Sequence, residues 1–374
     1  MRFEFIDGAE AICRGALYAG ADFFAGYPIT PATGILIKMM QELPRRGGVA
    51  IQGEDEIASI SMCLGAAMTG KKVFTATSGP GMSLYSETLG MAILGEVPMV
   101  IVDVQRLGPS TGGATTGAQG DVQFSRWVAP GGIPMVVLCP SSVESLITLT
   151  VKAFNIAELL RVPVILLTQK DMVLSTHTLD RDKLVMPEVV GRKTYDGPGP
   201  FVPYAVPSPG AVPAFAPVGG QHLTRFTGSM HNVTGHLTKV PEDIEAKQRH
   251  LVAKILENRH LIETVDLDLE EGADTLLMAH GVNGPVCHET VAEVRRRGGR
   301  CSGMVVESLY PEPIDALQRA LKGIRKVVLP EMNLGQYALS IRALLPHDVE
   351  LVEVHKIDGD LISVSEVISR GGLL

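Results

Sequence analysis

Two short runs, VPMVIVDVQ at 97–105 and VPVILLTQ at 162–169, constrain this chain more than any other feature. Each is almost wholly apolar, rich in β-branched residues and too short for an ordinary buried helix. Continuous apolar runs of this length read as strands covered on both faces. Between and before them lie helical patterns. GAEAICRGALYAGA at 8–21 has small residues on one face, EIASISMCLGAAMTG at 56–70 ends on a glycine, and MSLYSETLGMAILG fills 82–95. SVESLITLTVKAFNIAELL at 142–160 separates MVVLCP from VPVILLTQ, and VAIQ at 49–52 and KKVFTATS at 71–78 add further strands. Strands alternating with helices predict a parallel sheet with helices on both faces.

The pattern breaks at about Arg181. YDGPGPFVPYAVPSPGAVPAFAPVGGQHLTRFTG at 195–228 is too rich in Pro and Gly for regular structure, and too apolar for a solvated linker. A loop of this length inside a compact protein is expected to be functional or to wrap a neighbour. A charged helix, PEDIEAKQRHLVAKILENRHLIE, follows at 241–263, and a second alternating unit begins near Asp274, with CSGMVVESLY at 301–310 read as one of its strands. The expected parse is an α/β domain over 1–180, an irregular loop and connecting helix over 181–271, and a smaller open α/β domain over 272–374.

Composition excludes several classes. The net charge of −8 supplies nothing to neutralise phosphates in bulk, so nucleic acid is not the expected partner. The five cysteines, Cys13, Cys63, Cys139, Cys287 and Cys301, are widely spaced and form no CxxC pair. They suggest reduced, buried thiols and offer no cradle for an iron–sulfur cluster or a structural zinc. MAILGEVPMVIVDV contains a Glu, a Pro and an Asp and reads as a helix end followed by a strand, not a membrane span. Acids interrupt the first residues, which do not read as a signal peptide, so the expected location is cytoplasmic.

Some motifs fail on inspection. GAAMTGK at 65–71 begins like a phosphate-binding P-loop, but Lys72 stands where Ser or Thr is required, and the run ends a helix. No GxGxxG follows a strand and no GxSxG elbow is present. His222, His231 and His236 fall in the irregular loop without nearby Cys or paired acids, and hydrogen-bonding duties suit them better than a metal.

Four segments carry more. GYPITPATG at 26–34 follows an apolar stretch and reads alone as a turn shaped by Pro and Gly. GEDEIAS at 53–59 sets three acids before a helix fit only for burial; the plain reading is interaction with the helix N-terminus. Glu56, however, stands at the mouth of that buried helix, where a carboxylate needs a partner. TATSGPGMSLYSE at 75–87 reads as a strand, a tight Gly-Pro-Gly turn and a helix. It is either a simple reversal or a place where backbone amides, Ser78 and Ser83 meet a ligand. DVQRLGPSTGGATTGAQGD at 103–121 leaves the strongest strand and becomes a polar loop around Arg106. A surface salt bridge is the plain reading of that arginine; at the carboxyl end of a buried strand it is also placed to hold a carboxylate.

Together, GYPITPATG, EDEIAS…TATSGPGMSLYSETLG and VPMVIVDVQRLGPSTG…QGD resemble the alpha subunit of 2-oxoacid:ferredoxin oxidoreductases, most of all the 2-oxoglutarate type. The similarity extends to GAVPAFAPVGG…HNVTGH, LPEMNLGQY and HKIDG, and so covers essentially the whole chain. HNVTGH departs from the more acidic version expected there. The resemblance implies a pyrimidine-type thiamine-diphosphate-binding parallel-sheet domain, followed by a domain like the C-terminal one of transketolase.

It implies that Glu56 meets the aminopyrimidine ring of thiamine diphosphate, with Pro28, Ile29, Ser78, Gly79, Pro80 and Gly81 shaping the cofactor pocket. Thr30 and Arg106 match positions that bind the substrate carboxylate. The implied reaction is the coenzyme A-dependent oxidative decarboxylation of a 2-oxo acid with reduction of ferredoxin, or its reverse. Branched-chain 2-oxo acids and pyruvate are the alternative substrates, and a non-catalytic ligand-binding or scaffold subunit is the alternative from another class. The chain has no GDG-x-N stretch for a diphosphate and Mg²⁺, and no cluster cysteines. The resemblance therefore implies an obligate complex. A beta subunit would carry the diphosphate, the Mg²⁺ and a [4Fe-4S] cluster, gamma and ferredoxin-like delta subunits would be further additions, and the Pro-rich loop would lie against a partner.

Overall fold

The computed structural model describes residues 2–374. In chain order the first half contains β1 (Phe3–Asp7), α1 (Gly8–Tyr18), β2 (Phe23–Gly26), α2 (Thr33–Glu42), β3 (Val49–Gln52), α3 (Glu56–Met68), β4 (Val73–Thr77), α4 (Gly79–Gly95), β5 (Met99–Gln105), α5 (Val122–Arg126), β6 (Val136–Leu138), α6 (Val143–Leu160), β7 (Pro163–Gln169), α7 (Lys170–Leu174) and β8 (Thr176–Asp180). After the irregular segment come α8 (Pro241–Leu256), α9 (Arg259–Ile262), β9 (Val265–Asp268), β10 (Thr275–His280), α10 (Gly284–Arg296), β11 (Ser302–Val306), β12 (Ser308–Tyr310), α11 (Ile314–Ala320), β13 (Lys326–Glu331), α12 (Gln336–Arg342), β14 (Glu350–His355) and α13 (Val364–Gly371).

The two founding runs lie side by side. β5 and β7 pair in parallel from Met99↔Pro163 to Gln105↔Gln169, and every residue of both strands is buried. They centre a seven-stranded sheet of order β12-β6-β7-β5-β4-β2-β3, parallel except for β12. A five-stranded sheet of order β14-β13-β10-β11-β9 makes the second unit, with only β9 antiparallel, and β1 and β8 form a separate antiparallel pair.

Each face of the large sheet has its own core. One gathers Phe24, Phe74 and Phe154, whose rings meet edge-on at centroid distances of 4.8 and 5.9 Å, under α1, α2 and α6. The other joins Ile101 and Ile165 of the large sheet to Met278, Met304 and Val327 of the small one. The two sheets thus share one continuous apolar layer, which is what holds the second unit against the first.

Three expectations need correction. CSGMVVESLY is not one strand. Its first part, β11, stays in the small sheet, while Ser308–Tyr310 returns to pair with β6 at the edge of the large one. The Gly-Pro-Gly run is not a turn before a helix but the first turn of α4 itself, with Ser78 as N-cap and Pro80 inside the first turn. Proline is tolerated there because the first amides of a helix have no internal acceptor. The charged helix of 241–263 breaks into α8 and α9. Apolar patterning did not reveal α2, the short α5 and α7, or the β1–β8 pair.

The irregular segment forms no helix or strand, and it buries Tyr204, Phe215, Ala216 and His231 against its own chain. Arg161, at the end of α6, donates to the carbonyls of Pro213 (3.2 Å) and Ala214 (2.9 Å). His231 meets Ser229 O through Nδ1 (2.8 Å) and lies over Tyr204 at 4.1 Å between centroids, while Nδ1 of His236 meets Thr234 Oγ1 (2.9 Å). All five cysteines are buried and unpaired. Among the described residues, no helix is long and apolar enough to cross a membrane.

Candidate active site

The carboxyl ends of β2, β4 and β5 deliver three of the segments singled out above to one edge of the sheet. In an open parallel sheet this is the edge where ligands bind. α3 starts there on three acids that divide the work. Asp55 is the N-cap, its Oδ1 accepting from Ala58 N at 2.7 Å. Glu56 is therefore free of capping, and it is buried, only 7% exposed. No donor among the described residues hydrogen-bonds its carboxylate. It lies against the first turn of α4, where a methyl group on Gly81 would come within 2.8 Å of Glu56 Cγ and collide with Thr77 Oγ1. Glycine at 81 is thus required by close approach, of Thr77 Oγ1 first and of the Glu56 side chain next. Beside it the Ser78 hydroxyl is fully buried and has no hydrogen-bond partner.

On the other side of that turn lies a cavity of 560 Å³. Gly79, Pro80 and Ser83 form one wall, the loop after β5 a second, and Met332–Leu334 with Gln336 a third. Arg106 reaches into it. The side chain is 7% exposed and donates to two backbone carbonyls, Thr30 O (2.7 Å) and Thr111 O (3.0 Å), while Nε has no partner. No carboxylate forms an ion pair with it among the described residues. A surface salt bridge, the plain expectation for this arginine, is therefore ruled out. A buried guanidinium without an anion is costly unless a ligand supplies one.

Thr30 belongs to the same constellation through its carbonyl. Its side chain is exposed, Pro28 is exposed, and Ile29 packs on the first core. Gly79, Pro80 and Arg106 share the cavity. Glu56 and Gly81 stand on the far side of the helix turn, and Ser83 donates only a long bond to Gly79 O at 3.4 Å.

Several residues that shape this site escaped sequence reasoning. Gln119 bolts the loop to the second unit. Its Oε1 accepts from Asn283 Nδ2 (2.9 Å) and Met332 N (3.0 Å), its Nε2 donates to His280 O (3.1 Å), and its own carbonyl takes Asn333 Nδ2 (2.7 Å). Glu331 fixes that second unit by accepting from Tyr337 N (2.8 Å) and Ala338 N (3.1 Å). Asp121 lines the cavity and is set by Gln105, whose Oε1 accepts from Asp121 N at 3.0 Å. Asp103 lies deeper in β5, fully buried. Burial, then the neighbouring Asp121, pushes the Asp103 carboxyl well above the usual range; burial pushes Asp121 up to about 6 against the pull of Arg106. An acid inside VPMVIVDVQ was the available signal, since a strand buried on both faces seldom holds an ionisable side chain.

The edge-of-sheet pocket, the unpartnered Glu56 and an Arg106 without an ion pair fit a ligand-binding site, and the match to a family model places the chain in the thiamine diphosphate-binding class. The chain belongs to the pyruvate flavodoxin/ferredoxin oxidoreductase family: the family's thiamine diphosphate-binding model matches residues 14–241, and the model of pyruvate:ferredoxin oxidoreductase core domain II matches 273–367. Among individual proteins, it is similar to the 2-oxoglutarate synthase subunit KorA of Methanocaldococcus jannaschii, 37% identical over 96% of this chain and 97% of that one. The ketoisovalerate oxidoreductase subunit VorB of Methanothermobacter thermautotrophicus is 32% identical over 99% of this chain and 97% of its own. The solved 2-oxoglutarate:ferredoxin oxidoreductase from Magnetococcus marinus, with 2-oxoglutarate, coenzyme A and succinyl-CoA bound, superposes with a TM-score of 0.93 at 32% identity, covering 99% of this chain. This chain spans 65% of that longer one.

The residues present fit the pyrimidine side of thiamine diphosphate. A buried, unpartnered carboxylate, an orphaned hydroxyl at Ser78 and a glycine that admits no methyl group together describe a place prepared for a polar ring. Among the described residues, no group of three His, Cys, Asp or Glu side chains is placed to hold a metal.

Proposed function

We propose that this chain is the alpha subunit of a 2-oxoglutarate:ferredoxin oxidoreductase, which converts 2-oxoglutarate and coenzyme A to succinyl-CoA and CO₂ while two electrons pass to ferredoxin, or runs the reverse. The observation that carries this reading is Arg106: a buried guanidinium with no carboxylate partner, opening on a cavity large enough for a small dicarboxylic acid.

In this reading Arg106 takes the carboxylate next to the 2-oxo carbon, held in place by the Thr30 and Thr111 carbonyls. Thr30 presents its exposed hydroxyl beside it. Glu56 would meet the aminopyrimidine ring and hold a proton at its ring nitrogen, while Gly79 to Gly81 keep the helix turn thin enough for the ring to approach. Thiamine diphosphate, when bound, supplies the electron sink for decarboxylation. A beta subunit would supply the diphosphate and Mg²⁺ site and a [4Fe-4S] cluster, with gamma and delta subunits as further members.

The test is co-expression with the partner subunits and measurement of coenzyme A-dependent viologen reduction with 2-oxoglutarate, 2-oxoisovalerate and pyruvate. The expected result is the highest kcat/KM with 2-oxoglutarate and a KM raised at least tenfold in Arg106→Gln, the loss of a charge-assisted contact. Preference for 2-oxoisovalerate would transfer the chain to the branched-chain class, which the similarity to the ketoisovalerate enzyme makes the second reading.

A further inference from the structure

Asp103 presents a physical problem that the reaction does not use. It lies in the middle of β5, with Thr77 of β4 and Leu167 of β7 beside it in register, and it is fully buried. Neither of its carboxylate oxygens receives a hydrogen bond. An anion in that position is unsupported, whereas a protonated carboxyl needs one acceptor.

The carboxyl group whose charge acts on Asp103 is that of Asp121. Gln105, two residues along and so on the same face of the strand, holds the backbone of Asp121 at 3.0 Å. Asp121 Oδ2 is itself buried and without a donor. The Asp121 carboxylate lies against the first turn of α4, both oxygens 3.0 Å from where a Gly79 methyl group would stand, and it lines the cavity that Arg106 enters.

We propose that Asp103 and Asp121 act as one carboxyl pair holding a single proton, and that Asp121 is thereby a positioning residue that sets the charge facing Arg106 and so the affinity of the cavity for a carboxylate. The inference rests on the reading that Arg106 receives the substrate anion.

With the pair singly protonated, one negative charge pulls on the guanidinium from beyond ion-pair distance. Uptake of a second proton leaves Arg106 uncompensated and strengthens its hold on an anion. The surrounding charges are few. The first turn of α4 carries no titratable side chain, and β4 and β7 place none beside Asp103. On α5, Arg126 is turned to Glu312 (2.9 Å) and Ser340 (2.7 Å). On α7, Asp171 reaches Gly117 and is paired with Lys170 at 2.8 Å. Glu56 lies beyond Gly81. Burial lifts Asp121 to about 6, so the second proton arrives near pH 6.

Glutarate, which lacks the 2-oxo group, is the probe, titrated calorimetrically into the assembled complex at pH 7.5 and pH 5.5, with each affinity expressed per fully ionised glutarate because the ligand's own carboxyls begin to protonate at the lower pH. Affinity should rise on the order of fivefold at the lower pH, as expected for one charge removed near the site. In Asp121→Asn it should be high and equal at both. The KM for 2-oxoglutarate should follow the same pattern, with kcat less affected. Infrared spectra at pH 7.5 should contain a protonated-carboxyl C=O band that is absent from Asp103→Asn, a readout independent of ligand and turnover.

An affinity that ignores pH in the wild type, an Asp121→Asn variant that keeps the wild-type pH dependence, or the absence of that band overturns the pair. If Arg106→Gln abolishes glutarate binding while Asp121→Asn behaves as wild type, the pair fails and the carboxylate site stands. Undiminished glutarate binding in Arg106→Gln defeats the site and, with it, the inference.

Discussion

Two of the buried charge clusters in this molecule are built on opposite principles. Glu96, at the left-handed C-cap of α4, is completely buried. Its carboxylate accepts from Lys247 Nζ (2.6 Å), Lys254 Nζ (2.6 Å) and His250 Nε2 (2.9 Å), and its carbonyl from Arg161 Nε (3.1 Å). Asp103, Asp121 and Arg106 form the other cluster, where four carboxylate and guanidinium atoms lack any partner. The first is saturated and fastens α8 and the irregular segment to α4. The second is left unsatisfied at the wall of a cavity. Saturation marks a structural joint, and unsatisfied polar atoms mark a place where a ligand or proton is expected.

The largest effect should come from breaking the saturated cluster. Glu96→Ala leaves two buried lysines and a buried arginine without their anion. The expected cost is about 3–5 kcal/mol, enough to abolish folded chain in a urea melt. Whatever fraction folds should retain its normal specific activity, because nothing in this cluster reaches the cavity. Reduced turnover per folded molecule would erase the distinction between the two regions.

Glu56→Gln is the converse case. It leaves burial and shape unchanged, so the urea midpoint should stay within error of wild type. Activity of the assembled complex should fall on the order of a hundredfold or more, the range for removing a proton-handling group. Near-normal turnover would remove Glu56 from the site.

Gly81→Ala sharpens the comparison from the backbone side. The methyl group meets Thr77 Oγ1 and Glu56 Cγ, neither of which is a free chain end. Overpacking of this kind costs about 1–3 kcal/mol, and activity should fall further than stability because Glu56, along with Thr77, must shift to admit the methyl group. Equal losses in both would make Gly81 a packing residue only.

The sequence makes one of these regions far more legible than the other. β5 and β7, α6 between them and the anion-seeking Arg106 follow from local patterns, because a short continuous apolar run reads as a covered strand and an arginine after it stands at the ligand edge. Lys247, His250 and Lys254 share a face of α8 by spacing alone, yet their anion lies some hundred and fifty residues earlier, and no local pattern points to it. β12 was missed for a similar reason. One residue separates it from β11, and only the tertiary packing of Leu309 and Tyr310 sends it to the other sheet. One contact of Thr30 has no local signal at all: its carbonyl, which every residue has, accepts from Arg106.

The smallest effect separates the clusters by the sign of their pH dependence. Glu96 is held well below the usual carboxylate range, because the attraction of Lys254, Lys247 and His250 outweighs its burial. The native state therefore binds fewer protons there than the unfolded chain, and the stability it contributes is present at neutral pH and lost as pH falls below the ordinary glutamate value. Asp103 is the reverse. Its folded value lies above its unfolded one, so the native state binds more protons over the interval between them, and stability declines as pH rises through it. Asp103→Asn has no such proton to lose. Its urea midpoint should match wild type near pH 4, the ordinary aspartate value, and exceed it increasingly toward pH 8, by on the order of 1 kcal/mol. A variant less stable than wild type at pH 8 would mean that the Asp103 carboxylate is ionised and paired in the folded protein, and that the second cluster is a structural joint like the first.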